Sequence, residues 1–221
     1  MKKGTKKLLI VWMMLGATPA FATPDPYEEA NRLVHGFNQT LRAQVLAPLA
    51  EAWRERVPVD IRIGLGRAAA NLAEPITAAS GLAAGDTGLA WHALTRFGIN
   101  STLGYGGYRD HAAGLGYEPR RFDLADAFCA WGVPSGPYLV LPLVGPTTLR
   151  EAGAAVLTAG LLSHGVGAEA VLAWNTTSGL LSYAELHPAL TQMDAAALDP
   201  YTTQRSAYAQ RRAQTCAEGE D

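Results

Sequence analysis

Apolar residues recur every three or four positions along most of this chain. Ala30, Leu33, Val34, Phe37 and Leu41 form one stripe at helical spacing, and Leu89, Ala90, Ala93, Leu94 and Phe97 form another. Asp25-Pro26-Tyr27-Glu28 predicts the start of the first helix, with Asp25 as N-cap and Pro26 at the first helical position. A second helix opens at Pro48 and stops before Pro58. A third, capped by Asp60, runs to Asn71, and a short fourth runs from Pro75 to about Gly85. Asp86 caps a fifth that ends near Gly104. A Gly- and Tyr-rich loop follows to Arg121, then one or two helical turns over residues 122–131. Residues 136–142 read as an extended, proline-bounded run, since proline does not suit a central strand. Two alanine-rich helices fill the chain from Pro146 to about Leu186, with Gly160, Gly165 and Gly167 as breaks. Asp199-Pro200 caps a last helix that places Tyr201, Arg205, Tyr208 and Arg212 on one face. No alternating strand pattern recurs, so the spacing predicts an all-α fold.

The first residues belong to another category. Lys2, Lys3, Lys6 and Lys7 precede an apolar stretch from Leu8 to Ala20, and Ala20-Phe21-Ala22 offers small residues at a cleavage site. These are the three parts of a secretory signal. The 13 apolar residues span about 20 Å as a helix, short of a hydrocarbon core of roughly 30 Å. Residues 1–22 are therefore expected to be removed on export. The mature chain then starts at Thr23 as one domain over residues 23–221, with a polar tail from about residue 213.

Export changes how the composition reads. All lysines lie in the signal, leaving 14 arginines against 20 acids in the rest, a formal charge of −6. That balance excludes a nucleic-acid footprint. Hydrophobic residues make up 48% and charged residues 17% of the chain, where about a quarter charged is usual in soluble domains. The deficit suits a protein that shows apolar surface to lipid. No mature segment offers about 20 uninterrupted apolar residues. An oxidising periplasm permits a Cys129–Cys216 bridge. The residues favour a plainer reading, with Cys129 a small residue in an apolar helix and Cys216 in a frayed tail.

Catalytic and cofactor motifs do not accumulate. Gly64-x-Gly66-x-x-Ala69 matches a relaxed dinucleotide fingerprint, but it falls where a helix is expected and no βαβ unit surrounds it. His35, His92, His111, His164 and His187 are scattered, without metal-ligand spacing. No G-x-S-x-G elbow occurs. Ser80, His92 and Asp110 have the residue types of a hydrolase triad, yet nothing in their spacing selects them. The expectation is a non-enzyme without metal or cofactor.

Longer runs carry a more specific signal. They are Asn31-Arg32 with Phe37-Asn38, Asn71-Leu72-Ala73-Glu74-Pro75, Arg96-Phe97 and residues 100–107 (NSTLGYGG), with Asp110 after them. Then come Trp131-Gly132-Val133, residues 136–142 (GPYLVLP), Gly145-Pro146, Leu149-Arg150, and Asp199-Pro200-Tyr201 with Arg205, Tyr208 and residues 210–212 (QRR). In this order, over nearly the whole mature chain, they resemble the MlaA/VacJ family of outer-membrane lipid-transport proteins.

The resemblance implies a ring-like bundle of amphipathic helices in the inner leaflet of the outer membrane, on its periplasmic side. Phospholipid leaves the outer leaflet through a polar central channel and reaches a periplasmic lipid carrier, beside a trimeric porin. It makes Phe37, Asn38, Arg96, Asn100, Gly104, Tyr105, Gly106, Gly107, Tyr108, Arg109 and Asp110 candidates for the lipid passage. Asn71, Glu74, Pro75, Gly136, Pro137, Tyr138, Pro142, Gly145, Pro146, Arg150, Tyr201, Arg205 and Tyr208 become structural motif residues. For Arg96, an ion pair with Asp110 or Glu74 competes with lipid contact, because buried charges are normally paired. The chain departs from the family at Ala22, Thr23 and Pro24, where most members carry a lipidated cysteine. That departure keeps two alternatives open: a soluble or peripheral lipid-binding protein of the periplasm, and a porin-associated structural adaptor.

Overall fold

The computed structural model describes residues 25–216; the expected signal segment and residues 217–221 lie outside them. Helices dominate. Helix α1 (Glu28–Leu41) continues through a π-helical turn (Arg42–Leu46) into α2 (Ala47–Arg56). The expected break before Pro48 is absent, because the π-helical turn just ahead of it widens the backbone where the proline lacks an N–H and carries the helix through. Asp25 is not the cap of α1, whose N-terminal boundary residue Tyr27 makes no side-chain cap.

Helix α3 (Val59–Ala83) replaces the two helices expected over this stretch, and Pro75 lies inside it. Helix α4 (Thr87–Thr102) starts as read, with the Asp86 carboxylate accepting from the Leu89 N–H at 2.8 Å. The two pack together along their length through small residues. Ala78, Ala90 and Ala93 form their buried contact, and a Cβ on Gly81 would press on the Ala90 backbone. This close approach explains how α3 tolerates Pro75: tertiary packing outweighs one lost backbone bond.

A single turn, α5 (His111–Gly114), interrupts the long loop, and α6 (Leu124–Ala130) follows a capping box made by Asp123 and Asp126. The proline-bounded run is strand β1 (Tyr138–Leu141), paired antiparallel with β2 (Gly145–Thr148). Pro146 sits opposite Val140 in this two-stranded ribbon, where β2 is an edge strand and a missing N–H is tolerated. Helices α7 (Leu149–Val166) and α8 (Ala168–Ala196) form the alanine-rich pair, parted at Gly167 with φ +88°. Helix α9 (Pro200–Thr215) begins on the Asp199 cap as read.

Packing closes a circuit. Helix α3 meets α6, α6 meets α7, α7 meets α8, and α8 returns to α2 and α3. Helices α1 and α9 lie against the β-hairpin, where Tyr138, Val140, Tyr201 and Tyr208 form the main aromatic core. The fold is all-α apart from this hairpin. The expected free tail from residue 213 is helical to Thr215, and Cys216 is bridged to Cys129 across 87 residues, with Cα atoms 6.2 Å apart. The plainer reading of the cysteines was wrong, because sequence distance says nothing about where α9 comes to rest.

Candidate functional site

The glycine-rich loop after α4 is pinned down along one side and open along the other. Its backbone turns back on the helix end: Gly106 N–H donates to Ser101 O at 3.1 Å, Gly107 N–H to Asn100 O at 2.7 Å, and Arg109 N–H to Gly104 O at 2.9 Å. Gly104 is buried, and a Cβ there would overlap the carbonyls of Asn100 and Arg109. Gly107 has φ +91° and rests on the Asn71 side chain, leaving no room for a Cβ. The Tyr108 ring lies directly on Gly64 of α3, and its hydroxyl donates to Asp60 O at 3.3 Å. The Gly64-x-Gly66 element thus serves as a seat for a tyrosine within a helix. Tyr105 (φ +53°), Gly106 and Arg109 form the exposed crest.

Beneath the crest lies a buried polar cluster. Arg96 Nε donates to Glu74 Oε1 at 2.6 Å and Nη2 to Asp110 Oδ2 at 3.2 Å, while a third donor meets the Tyr117 carbonyl. Asn100 donates to Asp110 at 3.0 Å and accepts from the Ala112 N–H at 3.0 Å. Asp110 also caps α5 through the Ala113 N–H. Burial works against the charge of Asp110, but bonds from Asn100, Ala113 and Arg96 outweigh it and hold its carboxyl below the ordinary aspartate range. Asn71 donates to Ser101 Oγ at 2.9 Å. Arg96, Asn100 and Asp110 are therefore engaged with one another and with Glu74, and the competing ion-pair reading of Arg96 is the arrangement observed.

Phe37 and Asn38 belong to a different part of the molecule. They lie well inside α1 rather than at a turn between helices. Asn38 clamps the β-hairpin: its amide donates to Leu141 O and its carbonyl accepts from the Leu143 N–H, both at 2.9 Å. Asn31 repeats the device two turns earlier, with Tyr138 O at 3.1 Å and the Val140 N–H at 2.8 Å. The turn so held puts Leu143 at φ +67° and leaves Leu143 and Val144 exposed beside the exposed Phe37. The hairpin tip was missed in the sequence. Gly145 between two prolines was the available signal, since its φ of +89° marks a turn.

The remaining motif residues anchor this region. Tyr138 is fully buried against Tyr201 and Tyr208, and burial first, then the nearby Asp25 charge, pushes its phenol up to about 12. Asp25 accepts from the Tyr201 hydroxyl and from Asn31, with Arg205 3.6 Å away. Gly136 (φ +71°) abuts Leu149, the Pro137 carbonyl accepts the Leu149 N–H, and Arg150 donates to Val133 O at 2.6 Å. Tyr208 and Arg212 share Glu151, and Arg212 also meets Asp126 at 3.1 Å.

The surface inverts the usual distribution. Asn31, Asn71, Glu74, Arg96, Asn100, Asp126 and Arg150 are buried, whereas Leu33, Trp91, Val156, Leu161 and Leu172 are each more than 60% exposed. Large apolar side chains point outward along both α7 and α8, yet no helix among the described residues is long and apolar enough to cross a membrane. Exposed apolar side chains in this number suit contact with lipid or protein.

Comparison with known proteins agrees with this picture. The sequence profile of the MlaA lipoprotein family matches residues 23–215. The intermembrane phospholipid transport system lipoprotein MlaA of Shigella flexneri is 34% identical over 217 residues, covering 92% of this chain and 82% of that protein. The protein of the same name from Haemophilus influenzae is 34% identical over 205 residues, covering 84% and 76%. A solved structure described as the structural basis for maintenance of bacterial outer membrane lipid asymmetry superposes with a TM-score of 0.75 at 29% identity. It covers 86% of this chain and 98% of its own. The chain belongs to the MlaA lipoprotein family.

Proposed function

We propose that this protein removes phospholipid from the outer leaflet of the outer membrane and passes it through a central polar passage to a periplasmic lipid carrier, so maintaining lipid asymmetry. It sits in the inner leaflet, facing the periplasm, beside a trimeric porin, and it catalyses no reaction on the lipid. The observation that carries this reading is the inverted surface. Leucines and valines of α7 and α8 face outward while charged and amide side chains face inward, and no helix among the described residues is long and apolar enough to span. Helices that expose apolar faces but do not span lie within one leaflet. The names of the relatives, which refer to intermembrane phospholipid transport, support it further.

Within this reading, the crest of Tyr105, Gly106 and Arg109 borders the passage from one part of the fold, and Phe37 with the Asn38-held hairpin tip borders it from another. The Arg109 guanidinium offers paired donors to a phosphate. Tyr105 offers an amphipathic ring suited to the headgroup level. The packed Gly104, Gly107 and Tyr108 hold the crest in place. The buried Arg96 and Asn100, with the half-buried Asp110, support it from below.

The test is a deletion strain complemented with the intact gene. Phospholipid accessible to an external phospholipase should rise in the deletion and fall on complementation. Normal accessibility in the deletion, with only porin complexes changed, would establish the structural adaptor instead. Fractionation addresses the other alternative: the protein should leave membranes with detergent and not with salt. Release by salt, or turnover of phospholipid esters by the purified protein, would overturn this reading.

A further inference from the structure

Helix α9 is attached to the rest of the molecule at both ends by different chemistry. Near its start, Tyr201 and Arg205 reach Asp25, and Asp199 pairs with Arg32 at 2.9 Å. Near its end, Arg212 pairs with Asp126 of α6 and Glu151 of α7, and Cys216 is joined covalently to Cys129 at the C-terminal end of α6. Between these points, Tyr201 and Tyr208 supply one side of the core that packs on Tyr138 and Val140 of β1. The strand pair therefore has its aromatic support from a helix whose far end is held by the disulfide. Cys216 lies one residue beyond the family match, which ends at 215, so nothing in that match accounts for the bridge.

We propose that the Cys129–Cys216 disulfide is a redox latch that locks α9, and through Tyr138 the β-hairpin, in place after export. Three observations carry it. The thiols meet only when α9 has docked, because Cys216 is buried and its approach to Cys129 requires Arg212 to be seated on Asp126 and Glu151. The docked side of α9 rests on two buried tyrosines, ion pairs and hydrogen bonds and not on a broad apolar face, so a covalent tie near its far end adds to contacts that are individually small. Third, Arg150 Nη2 lies 3.4 Å from Cys216 Sγ. Its positive charge stabilises the negative charge that gathers on this sulfur during thiol–disulfide exchange.

The chemistry balances with a disulfide-bearing protein oxidant of the periplasm. The Cys216 thiolate attacks the oxidant's disulfide, forming a mixed disulfide and releasing one oxidant thiolate. The Cys129 thiolate then attacks the Cys216 sulfur, closing the intramolecular bond and releasing the second oxidant thiolate. Two electrons pass to the oxidant, and the two protons lost by the protein's thiols end on the oxidant's cysteines. Reduction reverses each step.

Hydrogen exchange followed by mass spectrometry tests the latch on the full mature protein, purified from the periplasmic side of the cell. Three forms are compared: oxidised, reduced with a small thiol or phosphine, and the C129A/C216A variant. Amides of residues 201–215 and 138–148 should exchange at least about tenfold faster in both bridge-free forms, while α3 and α4 stay unchanged. The bridge closes an 87-residue loop, so the melting temperature should also fall by roughly 10 °C. A double variant that fails to fold leaves the reduced wild-type protein to decide. Equal protection of α9 in oxidised and reduced protein would overturn the proposal. So would two alkylatable thiols in protein freshly taken from cells.

Discussion

The region around α9 and the helices α7 and α8 are built on opposite principles. Around α9, directional bonds do the holding: Asn31 and Asn38 grip the hairpin, Tyr201 and Tyr208 give their hydroxyls to Asp25 and Glu151, and Arg212 bridges two acids. Along α7 and α8, only Arg150, Ala154, Val171 and Ala184 are buried, while leucines and valines are presented outward. The first region specifies a geometry. The second leaves many large apolar side chains, among them Val156, Leu161 and Leu172, on its outer surface. The contrast teaches that this fold buries polar side chains where it needs fixed geometry and leaves apolar ones outside along the helix pair, the inverted arrangement on which the proposed function rests.

The comparison breaks first at the buried charges. Replacing Arg96 by alanine leaves Glu74 buried and Asp110 half-buried without their cation, which should cost about 3–5 kcal/mol in denaturant unfolding. A loss below about 1 kcal/mol would mean that the cluster is far wetter than its burial indicates. Next, Gly107→Ala forces a Cβ into Asn71 at φ +91° and should cost about 2–3 kcal/mol, whereas Gly106→Ala, which meets open space, should cost clearly less. Equal effects would show that the loop is not seated on α3.

The outward face sharpens the comparison from the other side. Val156→Ser and Leu172→Ser should each weaken binding to phospholipid vesicles by about 1.5–2 kcal/mol, roughly tenfold or more, in a flotation assay. Their unfolding free energy in detergent should move by no more than about 0.5 kcal/mol. A large stability loss with unchanged flotation would reverse the assignment of the two regions.

The smallest effect is a pH dependence. Asp110 has a folded pKa below its unfolded value, so its contribution is fully present above about pH 4 and is lost as pH falls through the folded value. Stability should decline on acidification below that point. Asp110→Asn should flatten part of the slope, which a series of urea melts would reveal.

What was legible in the sequence was mostly local. Asp86 and Asp199 announced their helices because a cap acts within three residues. Pro75 misled, since its local cost was outweighed by packing against α4 that no short window contains. Asp25 had every local mark of a cap, yet it bonds the Asn31 side chain and, 176 residues away, the Tyr201 hydroxyl, and no backbone N–H of the first turn. The disulfide was hidden for the same reason. Of the passage candidates, the glycines were visible as a cluster, but which of them carries a neighbour depends on Gly64 and Asn71 of another helix. Phe37 lies on the first helix as its apolar stripe implied, but the grip of Asn38 on the hairpin was not legible, because its partners Leu141 and Leu143 are 103 and 105 residues away.

The π-helical turn has a mechanical consequence. An α-helix advances about 100° per residue, so one residue accommodated in a wider loop of backbone rotates everything beyond it by roughly that angle. The rod from Glu28 to Arg56 thus carries two working sides, offset like the lobes on a camshaft. Its first half meets β1 and its second half meets α8. The hairpin and the α7–α8 pair are thereby set relative to one another by a single continuous helical rod.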